Sequence, residues 1–291
     1  MTSTNLIPAL LGEEDLRLLR PEKLQFKMVA EPDSWLRTCY DLLRSHFGPE
    51  VLEPMERYAE WLEMNRLGVH PFPFVLMAAY LEGGGRALVA GVMSANVMRI
   101  ERSGQPEVEP AAPSLLFAIG NQLTAPLVRS AGIKGVGTRL WRRAIAEAKA
   151  IARGLNGRLA YSFLESEDDS AGFWDRLGYR WPKDVSYWQP PLEFDGNGDF
   201  VNPEVREIAM LKPLEVQDRR GIERGLLHDV IATVYLNWAL ARYRGVLSAE
   251  AMNRAESYVM GWLLGRVDSL MPRAPRIPLV RIVQPGRHDA G

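Results

Sequence analysis

Residues 131–141 read AGIKGVGTRLW. Gly132, Gly135 and Gly137 fall within six residues, Lys134 sits among them, and a helical pattern begins at once. Leu140, Trp141, Ala144, Ile145 and Ala148 then share one apolar face of a helix running to about Arg153. Upstream, SLLFAIGNQLTAPLV (114–128) reads as a strand that loses regularity between Asn121 and Pro126. A strand that passes through glycines into a helix leaves main-chain N–H groups with no intrahelical acceptor. With the positive end of the helix dipole, those groups suit phosphate oxygens. Glycine removes the Cβ that would hold an anion away, and Lys134 adds charge. Taken alone, such a turn serves equally as a plain connection. Two common phosphate loops are excluded. Lys134 precedes Gly135 and no Gly-Lys-Ser/Thr occurs, so this is not a Walker loop; GIKGVG is GxxGxG, not the dinucleotide GxGxxG.

The totals narrow the class. At 291 residues the chain suits one large domain, or one with a smaller companion, and can bury a sizeable core without staples. A net charge of -1 gives no global field for nucleic acid or anionic lipid. Cys39 is the single cysteine, which excludes an intramolecular disulfide, fits a reducing cytosol and suits a packed thiol better than a nucleophile. His46, His70, His228 and His288 are scattered, so no structural metal is expected. No apolar run reaches membrane-spanning length, and the first residues lack a basic leader, so a cytoplasmic protein is expected.

Outward from the glycine turn the chain alternates between strand and helix. KLQFKMVA (23–30) alternates as a strand, and two helices follow. The first is capped by Asp33 and stopped at Gly48-Pro49; the second has Pro54 in its first turn and Gly68 past its end. FPFVLMAAYL (72–81) and ALVAGVMSANVMRI (87–100) flank a glycine cluster as an antiparallel hairpin. After the central helix come a strand GRLAYSFLES (157–166), a short helix ended by Gly178, and strands within 185–194 and 206–214. Beyond Pro213 the pattern becomes helical over 218–245 and 248–270, with a weak final strand near Ile277. The fold class is therefore α+β, a mixed α/β sheet with a C-terminal helical extension. The expected divisions are an arm or short helix over 1–22, a core over 23–214 and the extension over 215–291.

Strand, Gly-rich turn, helix, strand, then the short helix of LESEDDSAGFWDRLGYRW (164–181), all after two helices and a hairpin, resembles the GNAT superfamily, the Gcn5-related N-acetyltransferases. Gly132, Ile133, Lys134, Gly135, Val136 and Gly137 stand in the six places of that family's Arg/Gln-x-x-Gly-x-Gly/Ala turn. FWDRLGYRW is similar to its second signature and IAMLKPL to its closing strand. The resemblance covers roughly residues 23–214. It implies acetyl-CoA or a longer acyl-CoA as cosubstrate, with the amides of Ile133, Lys134, Gly135, Val136, Gly137 and Thr138 on the pyrophosphate. Arg139 or Arg142 would assist, or would be a solvated helix face. An amide among Leu123, Thr124 and Ala125 would polarise the thioester carbonyl.

Acyl transfer needs an amine deprotonated, an oxyanion stabilised and a thiolate released. Where many relatives carry an acidic tyrosine, this sequence has Trp174, which places indole against the cofactor and cannot serve as an acid. Either Tyr179, Tyr161 or water replaces it, or the thiolate leaves unaided, or transfer has been lost. Tyr179 equally plugs the short helix onto the sheet. Glu165, at a rigid strand end, is the candidate base; the neighbouring Glu167, Asp168 and Asp169 also read as an acidic loop that caps the helix.

The resemblance thus implies an N-acyltransferase acting on an amine of a small molecule or peptide. The alternatives are a non-catalytic acyl-CoA-binding module and an enzyme whose donor is acyl carrier protein. The acceptor side would draw on the first two helices and their loop, with His46, Phe47, Glu50, Met64, His70 and Phe72. The extension's apolar faces fit docking on the core or pairing in a homodimer. Neither nucleic acid nor membrane is expected as a partner.

Overall fold

A computed structural model describes residues 5–7, 24–48, 52–83, 86–101, 112–166, 168–191, 193–201, 204–216, 218–244 and 246–281. Its elements are β1 (Asn5–Ile7), β2 (Leu24–Met28), α1 (Ser34–Arg44), α2 (Met55–Leu67), β3 (Phe74–Gly83), β4 (Arg86–Arg99) and β5 (Ser114–Thr124). Then come α3 (Pro126–Ser130), α4 (Val136–Gly154), β6 (Arg158–Ser166), α5 (Asp168–Arg176), β7 (Trp181–Pro182), β8 (Tyr187–Gln189) and β9 (Val205–Pro213). The extension holds β10 (Gly221–Glu223), α6 (Arg224–Val234), α7 (Ala249–Glu256), α8 (Leu264–Leu270) and β11 (Arg276–Val280). Wide π-helical turns at Tyr235–Leu240 and Ser257–Leu263 prolong α6 and α7.

The chain divides into two compact units, residues 1–97 with 119–155, and 98–118 with 156–291. Strands β4 and β5 each contribute residues to both units.

In the first unit the strand order is β2-β3-β4-β5. β2 and β4 are both antiparallel to β3, and a bulge at Ala79/Tyr80 shifts the hairpin register. Asp33 caps α1 by accepting from the amides of Trp35 (2.8 Å) and Leu36 (3.3 Å). Asn65 of α2 accepts from the Phe74 amide (3.0 Å) and donates to its carbonyl (2.6 Å), which pins the start of β3. Under these helices lie Leu36, Leu43, Leu62, Val75 and Met77, all buried. Cys39 is buried with them, and burial pushes its thiol far above the ordinary range. One expectation changes here. Residues 5–7 of the supposed arm form β1, parallel to Arg86–Leu88 of β4, because that end of β4 offers main-chain groups that need partners. The other residues of the arm lie outside those described.

In the second unit the order is β5-β6-β9-β8, with a small sheet β10-β11-β7. β6 runs parallel to β5: the Arg158 amide donates to the Pro113 carbonyl (2.9 Å), and four residues on in each strand Ser162 Oγ donates to the Phe117 carbonyl (3.0 Å). β9 is antiparallel to both β6 and β8. Residues 221–223, which the sequence reads as helical, pair with β11 instead, and the helix begins at Arg224. The weak final strand exists as β11 and also pairs with β7. The extension therefore belongs to the same unit as the core residues from 156 onward. Tyr235 Oη donates to the Trp188 carbonyl, and Arg281 pairs with the buried Asp175 of α5 (2.7 Å).

The turn over residues 195–199 locks onto α7. Asp195 accepts from the amides of Asn197 (2.8 Å) and Asp199 (3.0 Å), and Arg254 donates to the Asn197 carbonyl (2.6 Å). Gly198 sits at φ +83°, and a Cβ there would lie 2.0 Å from the Ala251 carbonyl oxygen. Gly198→Ala must therefore shift main chain as well as strain its own. Its expected cost is about 3 kcal/mol or more, read as a fall in Tm of roughly 6–12 °C. An unchanged Tm would contradict this packing.

Among the described residues no helix is long and apolar enough to cross a membrane, and no group of three or more His, Cys, Asp or Glu could hold a metal ion.

Candidate active site

In the first unit β5 leads to the glycine turn through a single helical turn rather than through the irregular strand that the sequence suggests. β5 ends at Thr124 and Pro126 starts α3. Within β5, Asn121 donates its main-chain N–H to the Ser94 hydroxyl (3.1 Å), so the ladder is held there by a side chain. Gln122 reaches the Gly137 carbonyl (3.4 Å) and ties the start of α4 to β5.

The turn itself has a definite hydrogen-bond pattern. Gly132 donates to the Arg129 carbonyl (3.0 Å) and Ile133 to that of Val128 (3.2 Å), closing α3. The next N–H with an acceptor is that of Arg139, bonded to the Gly135 carbonyl (3.0 Å). Among the described residues, the amides of Lys134, Gly135, Val136, Gly137 and Thr138 therefore meet no acceptor. Gly135 makes this run by taking φ +77°, a left-handed conformation that turns the chain into α4. Five successive donors at the positive end of a 19-residue helix can hold an anion. Lys134, Arg139 and Arg142 are exposed around them.

Two expected donors are already engaged. The Ile133 amide is satisfied within α3. The Ala125 amide donates to the Ala90 carbonyl (2.9 Å), so it cannot polarise a substrate carbonyl as it stands. Leu123 and Ala125 are buried, while Thr124 is half-buried.

The acceptor-side residues divide. Trp61, His70, Phe72 and Phe74 form an aromatic cluster with Tyr58. His70 Nδ1 accepts from the Phe72 amide (3.2 Å), and burial pushes its pKa down to about 4, so its ring is neutral at physiological pH. His46 meets Phe47 edge to face, at 4.9 Å between centroids, and Glu50 lies outside the described residues.

In the second unit Trp174 is buried and meets Phe173 and Tyr179 edge to face, at 4.9 and 5.3 Å between centroids. Tyr179 is 0% exposed, and its hydroxyl lies 2.6 Å from that of Ser162. Of its two readings, the geometry is that of a plug joining the short helix to β6.

Glu165 lies near the end of β6, half-buried. Tyr187 Oη donates to its Oε1, and Gln189 Nε2 to its Oε2 (2.7 Å). Ala209 stands opposite Glu165 on β9, and Tyr187 stands opposite Glu207 two residues away. The small side chain of Ala209 leaves room for Tyr187 to reach diagonally over β9. Phe163, Tyr235 and Trp238 complete an aromatic surround. Burial pushes the Glu165 pKa up to about 7, against the two hydrogen bonds and with help from the Glu207 charge. A carboxyl that titrates near neutrality can accept a proton and release it again.

Tyr187, Gln189 and Tyr235 carry no motif, and the sequence did not single out the first two as partners of Glu165. The available signal was weak: Phe163 and Glu165 share one face of β6, and Tyr187 and Gln189 share one face of β8. Glu167 lies outside the described residues. Asp168 and Asp169 are the first two residues of α5.

No family model matches the chain, and no curated protein matches it. It is similar to several solved structures. Arabidopsis thaliana NAA60 in complex with acetyl-CoA matches at 12% identity and TM-score 0.44, over 67% of this chain and 100% of that one. Ribosomal-protein-alanine N-acetyltransferase from Brucella melitensis matches at 18% identity and TM-score 0.38, over 66% and 100%. A GNAT-family acetyltransferase from Streptococcus pneumoniae matches at 16% identity and TM-score 0.39, over 66% and 99%. The element order seen here, two helices, a hairpin, β5, turn, α4, β6 and α5, is the one expected from the GNAT resemblance.

Proposed function

We propose that this chain is an acyl-CoA-dependent N-acyltransferase acting on an amine of a small molecule or peptide. The observation that carries the reading is the run of five unpartnered amides, Lys134 to Thr138, at the head of α4. Pyrophosphate fits that donor set, because it offers several anionic acceptors and the turn offers nothing but donors. The donor supplies an activated thioester. The amine nitrogen forms a bond to the acyl carbon, the carbon–sulfur bond breaks, and the amine proton passes to Glu165.

No acid from the FWDRLGYRW segment takes part. Trp174 has none to give, and Tyr179 is sealed against Ser162. A thiol, with a pKa of about 8.5, is far more acidic than an alcohol, so the thiolate leaves as an anion and takes its proton from water.

The pH dependence follows from Glu165. Its carboxylate must be ionised to accept a proton, so kcat/KM is expected to rise with pH through one ionisation near 7. A profile flat from pH 5 to 9 would remove Glu165 from the reaction.

Thiol release, measured with donors from acetyl-CoA to long acyl-CoAs across an amine panel, tests the function. Turnover with any donor supports it. Tight coenzyme A binding without turnover would instead favour an acyl-CoA-binding module, which the buried Trp174 motivates. Turnover only with acyl carrier protein would assign that donor; the exposed Arg129, Lys134, Arg139 and Arg142 suit its acidic surface.

A further inference from the structure

Glu165 is held in a way that its sequence position does not foretell. Each carboxylate oxygen accepts from a different side chain of one short strand: Oε1 from Tyr187 and Oε2 from Gln189. Two bonds at two oxygens fix the carboxylate plane as well as its position. β8 is only three residues long, and its middle carbonyl, that of Trp188, accepts from Tyr235 Oη at the end of α6. The Tyr187 and Tyr235 rings also lie 5.8 Å apart. A three-residue strand has few ladder bonds of its own, so an added bond at its centre steadies both flanking side chains.

We propose that Tyr187 and Gln189 are positioning residues that orient Glu165 as the base, and that the C-terminal extension takes part in catalysis by bracing β8 through Tyr235. This deepens the N-acyltransferase reading and rests on Glu165 being the base. Among the described residues, the titratable groups that face Glu165 are Tyr187 from β8, Glu207 from β9 and Tyr235 from the extension. Burial keeps both tyrosines protonated well beyond neutral pH, so each remains an O–H donor throughout the working range. Glu207 carries like charge and opposes ionisation of Glu165. The two donors counter it by favouring the carboxylate.

The test uses full-length Tyr187→Phe, Gln189→Leu and Tyr235→Phe. Each is measured by the pH profile of kcat/KM for thiol release, and by carbon-13 titration of the Glu165 carboxyl, assigned with Glu165→Gln. Tyr187→Phe loses one oxygen and keeps the ring, and Gln189→Leu supplies a second variant at a half-buried site should the first fail to fold. Loss of a donor to the carboxylate must raise its pKa. The expected shift for Tyr187→Phe is about one unit upward in both titration and acid limb, a roughly fivefold loss at pH 7 that is nearly recovered by pH 9. Gln189→Leu and Tyr235→Phe are expected to shift both readouts in the same direction by less. Unmoved carboxyl titration in folded Tyr187→Phe and Gln189→Leu overturns the positioning roles, whatever the status of Glu165. A carboxyl that shifts while the acid limb stays put shows that Glu165 is not the base, and then the positioning proposal fails together with that assignment. An unchanged profile in Tyr235→Phe alone overturns the role given to the extension.

Discussion

Glu165→Gln is expected to lower kcat by roughly 10²–10⁴-fold at pH 8, the range for loss of a positioned general base, while making the folded protein more stable at that pH. The two effects come from one cause. Burial raises the folded-state pKa of Glu165 from 4.5 to about 7. A raised pKa means that the folded state prefers the protonated form. Its stabilising contribution is therefore complete below about pH 4.5 and is lost as pH rises through 7. Above 7 the wild-type protein carries an ionised carboxylate in a half-buried aromatic surround, at a cost of up to about 3 kcal/mol before solvent screening reduces it.

Glutamine stays neutral, so the variant avoids that loss. Its carbonyl can accept from Tyr187, and its amide can meet Gln189 once the Gln189 amide is reversed. Thermal melts of both proteins at pH 4.5, 6, 7 and 8 check the sign. The difference in Tm should open between 4.5 and 7 in favour of the variant, reaching several degrees. A variant less stable at every pH would mean that the carboxylate is a structural anchor, and an active variant would mean that it is not the base.

The second large effect is expected at the turn. Gly135→Asp should weaken coenzyme A binding at least tenfold relative to Gly135→Asn, which is about 1.4 kcal/mol. The comparison between variants matters because Gly135 has φ +77°. Any side chain there carries backbone strain, and Asp and Asn tolerate the left-handed region about equally. Nothing lies within 4 Å of an added Cβ, so neither variant clashes. What differs is one negative charge beside the five amides. Titration calorimetry with coenzyme A, at matched ionic strength, separates the two effects. Equal affinities for Asp and Asn would place the anion elsewhere.

Local patterns made much of the fold legible. The helix after Gly135 was readable because its apolar residues recur every third or fourth position; the left-handed turn at Gly135 was not, because a glycine adopts many conformations and its type alone does not choose one. Asp33 and Gly68 marked helix ends for similarly short-range reasons. Failures came where distant chain decided. Residues 221–223 look helical, yet they pair with β11, more than fifty residues on. The Ala125 amide looked free because its acceptor, Ala90, lies in another strand. Ile133 was lost to a local event that still escaped periodicity: Pro126 starts α3, whose closing bond uses the Ile133 amide.

At Glu165 the residue type and its strand-end position were readable, and its setting was not. Tyr187 and Gln189 reach it only because β9 intervenes with an alanine at the right register, and the extension adds Tyr235 and Trp238 from a segment that the resemblance does not cover. The apolar face of 218–245 promised a partner surface, and two of its rings meet strand residues of the second unit, Trp238 with Phe163 and Tyr235 with Tyr187.

The most direct measurement is a nitrogen-15 amide spectrum recorded while coenzyme A is added. If the turn grips the diphosphate, the resonances of Lys134, Gly135, Val136, Gly137 and Thr138 should move together and downfield as their N–H groups acquire anionic acceptors, with Ile133 and Ala125 nearly still. Coenzyme A that binds and leaves those five amides unmoved would contradict the assignment of the turn.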